Sequence, residues 1–519
     1  MLSSVNKTRF FSVWLHLHEG DFMGETYHER RWWPEEGGGF AISGLQGKVA
    51  CRILTLEGEG IMRKGLIVLL AVFSVVAFAL PAMADVSFFG YARVLPTYYS
   101  NFDFDKNAPD KGITTEAGNA TGEAIRAELR LGWKAGGDKW KIMMTTETDL
   151  MYNQASVDRT IGTRGSSFGI ERAEFTYAFS PALELITGWP ISAADIGTGG
   201  VLYGDDHPII GFRGKVTDNV KYQLLYIPIN NDPVAGDPST VTGDWRAYLL
   251  KPEFSFGTGG ANMSLNPIVM FSDNRQNNAQ IWYYGLEGIG QFGIIKPSFE
   301  FIYADGEFLN TPRKIKSYAA FAGVELGLSK ALNPYIAGRY TRGDSDKNDN
   351  DVEGFVGITD IGRFTPLMGM DGNILGESLS AGTYYNSFLY SYAPDRGVGG
   401  NLYGGFGNAS SGNNPGSKIL AVGARGDVNE QFSYKAQVFG IWFDKTNNLA
   451  VGTGKTVSKV DTYAGTEVDI MLKYAFSKNF YASYIFSALL PGDGIKDQQP
   501  TTADDTYAML HTVNLFWTY

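Results

Sequence analysis

The feature that most constrains this chain is an alternation of side-chain character with period two, repeated from Asp85 onward in segments of about ten residues. Across 123–135, Ile125, Ala127, Leu129, Leu131 and Trp133 share one parity, and Arg126, Glu128, Arg130 and Lys134 share the other. Across 461–476, Val468, Ile470, Leu472 and Tyr474 oppose Glu467, Asp469 and Lys473. Ala173, Phe175 and Tyr177 oppose Arg172, Glu174 and Thr176 in the same way. Neighbouring side chains of a strand point to opposite faces, so each segment reads as a strand with one apolar and one charged face.

Turn residues punctuate the segments. Ala135-Gly136-Gly137-Asp138, Ser180-Pro181-Ala182, Thr217-Asp218, Ser329-Lys330-Ala331 and Ser477-Lys478 are tight, whereas 99–121, 230–243, 445–460 and 491–503 are longer and rich in Gly, Pro, Asn and Asp. The resulting strands are 85–98, 122–135, 139–151, 167–180, 183–190, 207–217, 219–229, 244–257, 260–272, 279–291, 294–305, 315–328, 332–343, 417–428, 431–444, 461–476, 479–490 and 504–519. An even number suits a bacterial single-chain barrel, so the fold class is all-β, a transmembrane antiparallel β-barrel of about 18 strands, with 16–20 as the range. Short turns belong on the periplasmic side and long loops outside. The segment 344–416 is too long for an ordinary connection and is expected to be a partly ordered extracellular loop.

A soluble sandwich also alternates. The barrel is preferred because the strands are long and aromatic residues gather at their ends, as an interfacial girdle requires: Trp133, Trp140, Tyr177, Trp189, Trp245, Tyr303, Tyr340, Trp442 and Tyr474. Composition agrees, with 64 glycines and 14% aromatics. Such numbers suit many strands joined by turns. From residue 85 on, 36 basic residues face 47 acidic ones, which argues against nucleic acid as a partner.

The first 84 residues read differently. Met62-Arg63-Lys64, an apolar run to Leu80, and Pro81-Ala82-Met83-Ala84 form the basic start, apolar core and small-residue exit of a secretory signal peptide. Cleavage is expected between Ala84 and Asp85. The stretch 1–61 is expected to lie upstream of the true start at Met62. Cys51 is the sole cysteine, so 85–519 holds no disulfide.

Resemblances enter at three places. The carboxyl end, His511 to Tyr519, carries Val513, Leu515, Trp517 and Tyr519 at alternate positions and resembles the sorting signal of outer-membrane barrels. The run Gly465-Thr466-Glu467-Val468-Asp469 through Tyr474, with Leu489-Leu490-Pro491-Gly492-Asp493, resembles the carboxyl-terminal pattern of the alginate-export barrels. Phe168-Gly169-Ile170-Glu171-Arg172-Ala173-Glu174-Phe175, ending at Gly188-Trp189, resembles porin-like proteins of anaerobic proteobacteria. These resemblances imply a Gram-negative outer-membrane location, lipid and the barrel-assembly machinery as partners, and small hydrophilic solutes as cargo. Trimerisation is common among porins, so a homotrimer stays open. The alginate-export resemblance implies an electropositive lumen, whereas the charged parity of this chain is mixed in sign.

If the apolar parity meets lipid, the other lines a lumen. That places Arg93, Arg126, Arg130, Arg172, Arg213, Lys215, Arg246, Arg339, Arg425, Lys435 and Lys473 inside. Glu128, Glu147, Asp149, Glu174, Glu287, Glu300, Glu325, Asp427, Glu467 and Asp469 join them. Arg or Lys in the hydrocarbon midplane costs roughly 2–4 kcal/mol each, so these groups must face water or one another. The guanidinium groups could form a ladder for anions such as organic acids, or the charges could simply brace neighbouring strands. The expected function is passive diffusion of small hydrophilic solutes or ions through a water-filled pore. A polysaccharide export barrel and an outer-membrane lipase or esterase are the alternatives. The enzyme reading is weak: beyond residue 84 only His207 and His511 are available, too few for a histidine-based triad or metal centre. No cofactor or metal is expected. Gly197-Thr198-Gly199-Gly200 reads as loop flexibility.

Overall fold

The computed structural model describes residues 85–519 apart from 102–103, 105–121, 152–165, 196, 206, 231–243, 259, 276–277, 347, 356, 359–414 and 504–505. The expectations for 1–61 and 62–84, and for most of 344–416, fall outside the described residues.

Eighteen long strands follow one another. They are β1 (Asp85–Ser100), β2 (Gly122–Gly136), β3 (Trp140–Met151), β4 (Ser166–Ser180), β5 (Leu183–Trp189) and β6 (Ile209–Thr217). Next come β7 (Val220–Asn230), β8 (Trp245–Thr258), β9 (Ala261–Asn274), β10 (Ala279–Phe292), β11 (Ile295–Phe308) and β12 (Lys314–Leu326). The last are β13 (Asn333–Thr341), β14 (Ser417–Asp427), β15 (Phe432–Phe443), β16 (Tyr463–Ser477), β17 (Phe480–Pro491) and β18 (Ala508–Thr518). Each pairs antiparallel with its successor where the register is described, and β1 pairs with both β2 and β18, so the sheet closes. Every strand falls within four residues of its expected limits. Closure leaves no edge strand, which is the condition for crossing a bilayer with β-structure.

The two faces separate as the alternation requires. Leu129, Leu131, Ile210, Phe212, Leu224, Leu250, Phe301, Ile336, Leu420, Val422, Val438 and Leu472 are exposed on the outer face. Their neighbours one residue along, among them Glu128, Arg130, Leu225, Leu249, Ile302, Ala337, Ala421, Phe439 and Met471, are buried on the inner face. Trp189 is the last residue of β5, and Tyr303 and Tyr474 are also exposed outward. Trp245 departs from the girdle expectation. It packs with the buried inner cluster, and its indole Nε1 donates to Ser272 Oγ at 2.9 Å.

The seam shows why particular residue types stand where they do. Val94 pairs with Leu515 and Ala92 with Trp517. The Tyr519 hydroxyl reaches across to donate to the Arg130 carbonyl at 3.0 Å. A Cβ on Gly90 would fall 2.1 Å from that hydroxyl and 2.2 Å from the same carbonyl, so only glycine lets the three strands meet. Near the end of β5, Gly188 has φ +110 and its absent Cβ would lie 1.9 Å from the Ala173 carbonyl. Only glycine adopts this conformation without strain, and the strand ends one residue later at Trp189.

Two buried apolar clusters line the inner wall towards the long-loop end. One joins Leu225, Ile227, Leu249, Ile268, Met270, Ile281, Ile302 and Ala304 of the wall to Ala194, Val201, Leu202 and Tyr203 and to Val352, Phe355 and Ile358. The other joins Ile419, Phe439, Ile441, Ile485 and Leu510 to Phe104, Leu449, Val460 and Ile495. Connecting segments therefore fold back over the inner wall. The most important is 190–208, between β5 and β6, which carries a short two-stranded ribbon (Ser192–Ala193 with Gly204–Asp205) and reaches as far as β10, β11 and β12. The expected long loop 344–416 contributes its first residues. Asp351–Val352 pairs in parallel with the start of β12, and Ile358 N donates to the Leu202 carbonyl at 2.8 Å.

Candidate functional site

The inner wall carries charge in discrete arcs, each built by cross-strand register. On β1 to β4, Glu128 takes Arg93 Nε at 2.7 Å and also the Tyr91 hydroxyl. Arg130 Nε donates to Glu147 at 3.0 Å, and the same guanidinium reaches Glu171. Glu171 has the parity of the outer face, yet it points inward because β4 bulges there: Thr145 pairs with Arg172 and Thr146 with Ile170, which makes Glu171 the extra residue of the bulge. A strict period-two reading cannot see this residue.

Further round, Arg213 meets Glu184 at 2.7 Å across β6 and β5. Glu325 receives Lys296 at 2.8 Å and Arg425 at 2.7 Å. Asp469 accepts from Gln437 at 3.0 Å and from Ser487 at 2.5 Å, and Glu467 from Ser487 at 3.3 Å. The Lys473 ammonium sits 3.7 Å from the centre of the Tyr481 ring. Arg172 lies 3.8 Å from Glu174. Arg339 is buried on the inner parity of β13, and Lys435 pairs in register with Arg425. Lys215 is half-exposed near the β6–β7 turn and bridges to Asp218 at 2.7 Å. Lys215 holds the Asp218 carboxyl below the ordinary range. For Arg126 and Asp149 only the backbone is described, Arg126 opposite Met151 and Asp149 opposite Glu128.

Arg246 is the exception among the expected lining residues. Ala247, Leu249 and Lys251 are buried on the inner face, so alternation puts Arg246 on the outer one with exposed Tyr248 and Leu250. It sits second in β8 and pairs with Asp244 in the preceding loop, so its charge is met at the strand end.

The inward segment 190–208 is pinned by carboxylates that the wall supplies. Glu287 on β10 accepts from Lys251 Nζ at 2.6 Å, from Asn266 Nδ2 at 2.8 Å and from the Thr198 hydroxyl at 3.3 Å. Glu300 on β11 accepts from the same hydroxyl at 2.5 Å and from Gly199 N at 2.7 Å. Asp195, fully buried in the segment itself, takes Val201 N at 2.7 Å, Leu202 N at 2.6 Å and Tyr203 N at 3.1 Å. Burial pushes the Asp195 carboxyl above its ordinary range against the pull of these donors. Gly197 to Gly200 is thus a fastened tip, which corrects its reading as loop flexibility. His207 stacks on Tyr203 at 6.0 Å, and His511 on the outer parity bonds the Tyr484 hydroxyl at 2.7 Å.

Closed sheet, apolar outside and charged inside define a transmembrane β-barrel. No protein-family model matches the chain, and no curated protein does. Among solved structures it is similar to Acinetobacter baumannii OccAB2, at 12% identity and TM-score 0.49, covering 84% of this chain and 98% of that one. It is also similar to Acinetobacter baumannii OccAB3, at 10% identity and TM-score 0.48, covering 84% and 99%. A third is Pseudomonas aeruginosa OccK2 (OpdF) in complex with glucuronate, at 11% identity and TM-score 0.47, covering 84% and 98%.

Proposed function

We propose that the protein is a porin of the bacterial outer membrane, a water-filled channel through which small hydrophilic solutes and ions diffuse, small anions and organic acids among them. The observation that carries this reading is the closed 18-strand sheet with ionised groups along its inner wall. Barrels of about 16–18 strands enclose an aqueous channel rather than a packed core. Inner-face groups that keep contact with solvent support a wet lumen: the Arg213 side chain is 33% exposed and Ile289, on the parity of Glu287, 39%.

Most arginines in the wall stand beside carboxylates, so their charge is largely balanced locally. Rings of unbalanced charge set strong ion preference, and paired charges give a weak one. The lining set proposed for this channel is the expected one with Glu171 and Glu184 added and Arg246 removed. Lipid surrounds the barrel, the assembly machinery reads Val513, Leu515, Trp517 and Tyr519, and residues 62–84 direct export.

Purified protein added to a planar bilayer in asymmetric salt tests the proposal. Discrete conductance steps with a small reversal potential are expected. Bilayers that stay silent at protein levels giving verified insertion overturn it.

A further inference from the structure

Two carboxyl groups meet where the inward segment touches the wall. Asp195 and Glu300 are hydrogen-bonded to each other as side chains, both fully buried. Two carboxylates share a hydrogen bond only if one proton lies between them. The bonding pattern says where it sits. Both Asp195 oxygens already accept backbone N–H groups, and Glu300 Oε2 accepts Thr198 and Gly199. Glu300 Oε1, buried and otherwise without a partner, is the oxygen left to carry the hydrogen.

We propose that Asp195 and Glu300 form a proton-held latch that fastens the tip of the 190–208 segment to β11 and frees it when the proton leaves. The idea rests on the porin reading for its consequence, a change in the open cross-section, but not for the latch itself. Apolar packing of Val201, Leu202 and Tyr203 holds the returning limb independently, so the moving part is the tip at Thr198 and Gly199.

The charged surroundings favour release. Glu287 on β10 faces the same hydroxyl as Glu300, and Lys251 on β8 is its cation, with Glu253 also acting on that lysine. From β12 the neighbour is Phe321, which brings no charge, and Arg339 of β13 pairs in register with Phe321 one strand beyond. Asp195, Glu287 and Glu300 thus crowd three carboxyl groups near the Lys251 ammonium. Losing the proton turns a hydrogen bond into repulsion between buried charges. The raised Asp195 carboxyl gives the sign: the latch is held at low pH and lost as pH rises through that elevated range.

The test uses Gly197→Cys, since residues 85–519 contain no other cysteine, and a Cβ there meets the flexible tip of the Ile289 side chain at 2.8 Å and Glu287 Oε2 at 3.8 Å. Thiol labelling of the folded barrel is followed from mildly acidic to mildly alkaline pH, corrected for reagent thiolate with an exposed cysteine at Gly293→Cys. The labelling rate is expected to rise several-fold with pH. Glu300→Gln keeps a donor for Asp195 and an acceptor for Thr198, so it should label slowly at every pH; Asp195→Asn serves as the second proton-independent variant. A flat corrected profile in the parent, or the same step in both variants, overturns the latch. A parent step without any bilayer conductance supports the latch while overturning the pore reading, so the two failures are separable.

Discussion

Arg130 and Arg213 make the same kind of contact in different surroundings. Arg130 is 10% exposed and serves Glu147 and Glu171, whereas Arg213 is 33% exposed and serves Glu184 alone. Removing one partner of a buried network leaves charge uncompensated, at roughly 3–5 kcal/mol, while an exposed pair contributes about 1 kcal/mol or less. Urea unfolding of the lipid-reconstituted barrel should therefore show Arg130→Met destabilised by about 3 kcal/mol, and Arg213→Met by less than about 1 kcal/mol. Equal losses would mean that water reaches both sites alike. At this scale the sequence was partly legible. Residue parity alone marks Glu128, Glu300 and Glu467 as inward, because a strand leaves no third direction. Glu171 escapes because one extra residue in β4 resets the parity, and nothing local in Ile170-Glu171-Arg172 announces a bulge. Arg246 was misread because a charged residue among apolar ones suggests the lumen, whereas its position beside Asp244 at a strand end lets it face outward.

Among elements, the seam of β1, β2 and β18 depends on the missing side chain at Gly90. Gly90→Val is expected to cost at least about 2 kcal/mol by overpacking and to lower the fraction of heat-modifiable folded protein on electrophoresis. Gly169→Ala, whose Cβ would meet nothing within 4 Å, should leave that fraction unchanged. If both behave alike, the close approach at the seam is not limiting. Strands were readable because turn chemistry brackets them so regularly. The inward course of 190–208 was not, since its Ala194, Val201, Leu202 and Tyr203 find partners on strands far along the chain. The same packing explains why β9 and β10 alternate poorly. Ile268, Met270, Ile281 and Tyr283 face inward yet are apolar, because a folded-back segment covers them.

For the whole molecule, charge and grease divide between two surfaces of one closed sheet. That division underlies the lumen, the placement of each carboxylate pair and the proposed passage of solutes. Alternation predicts it, but alternation alone does not say which surface meets lipid. The structure supplies that orientation, since the 190–208 segment, leaving the wall between β5 and β6, fastens to the charged face of β10 and β11. Labelling with a photoactivatable reagent dissolved in the bilayer tests the assignment directly. Modification is expected at Leu131 and Leu472 and absent at Arg130 and Lys473. The reverse pattern would turn the barrel wall inside out and contradict the account.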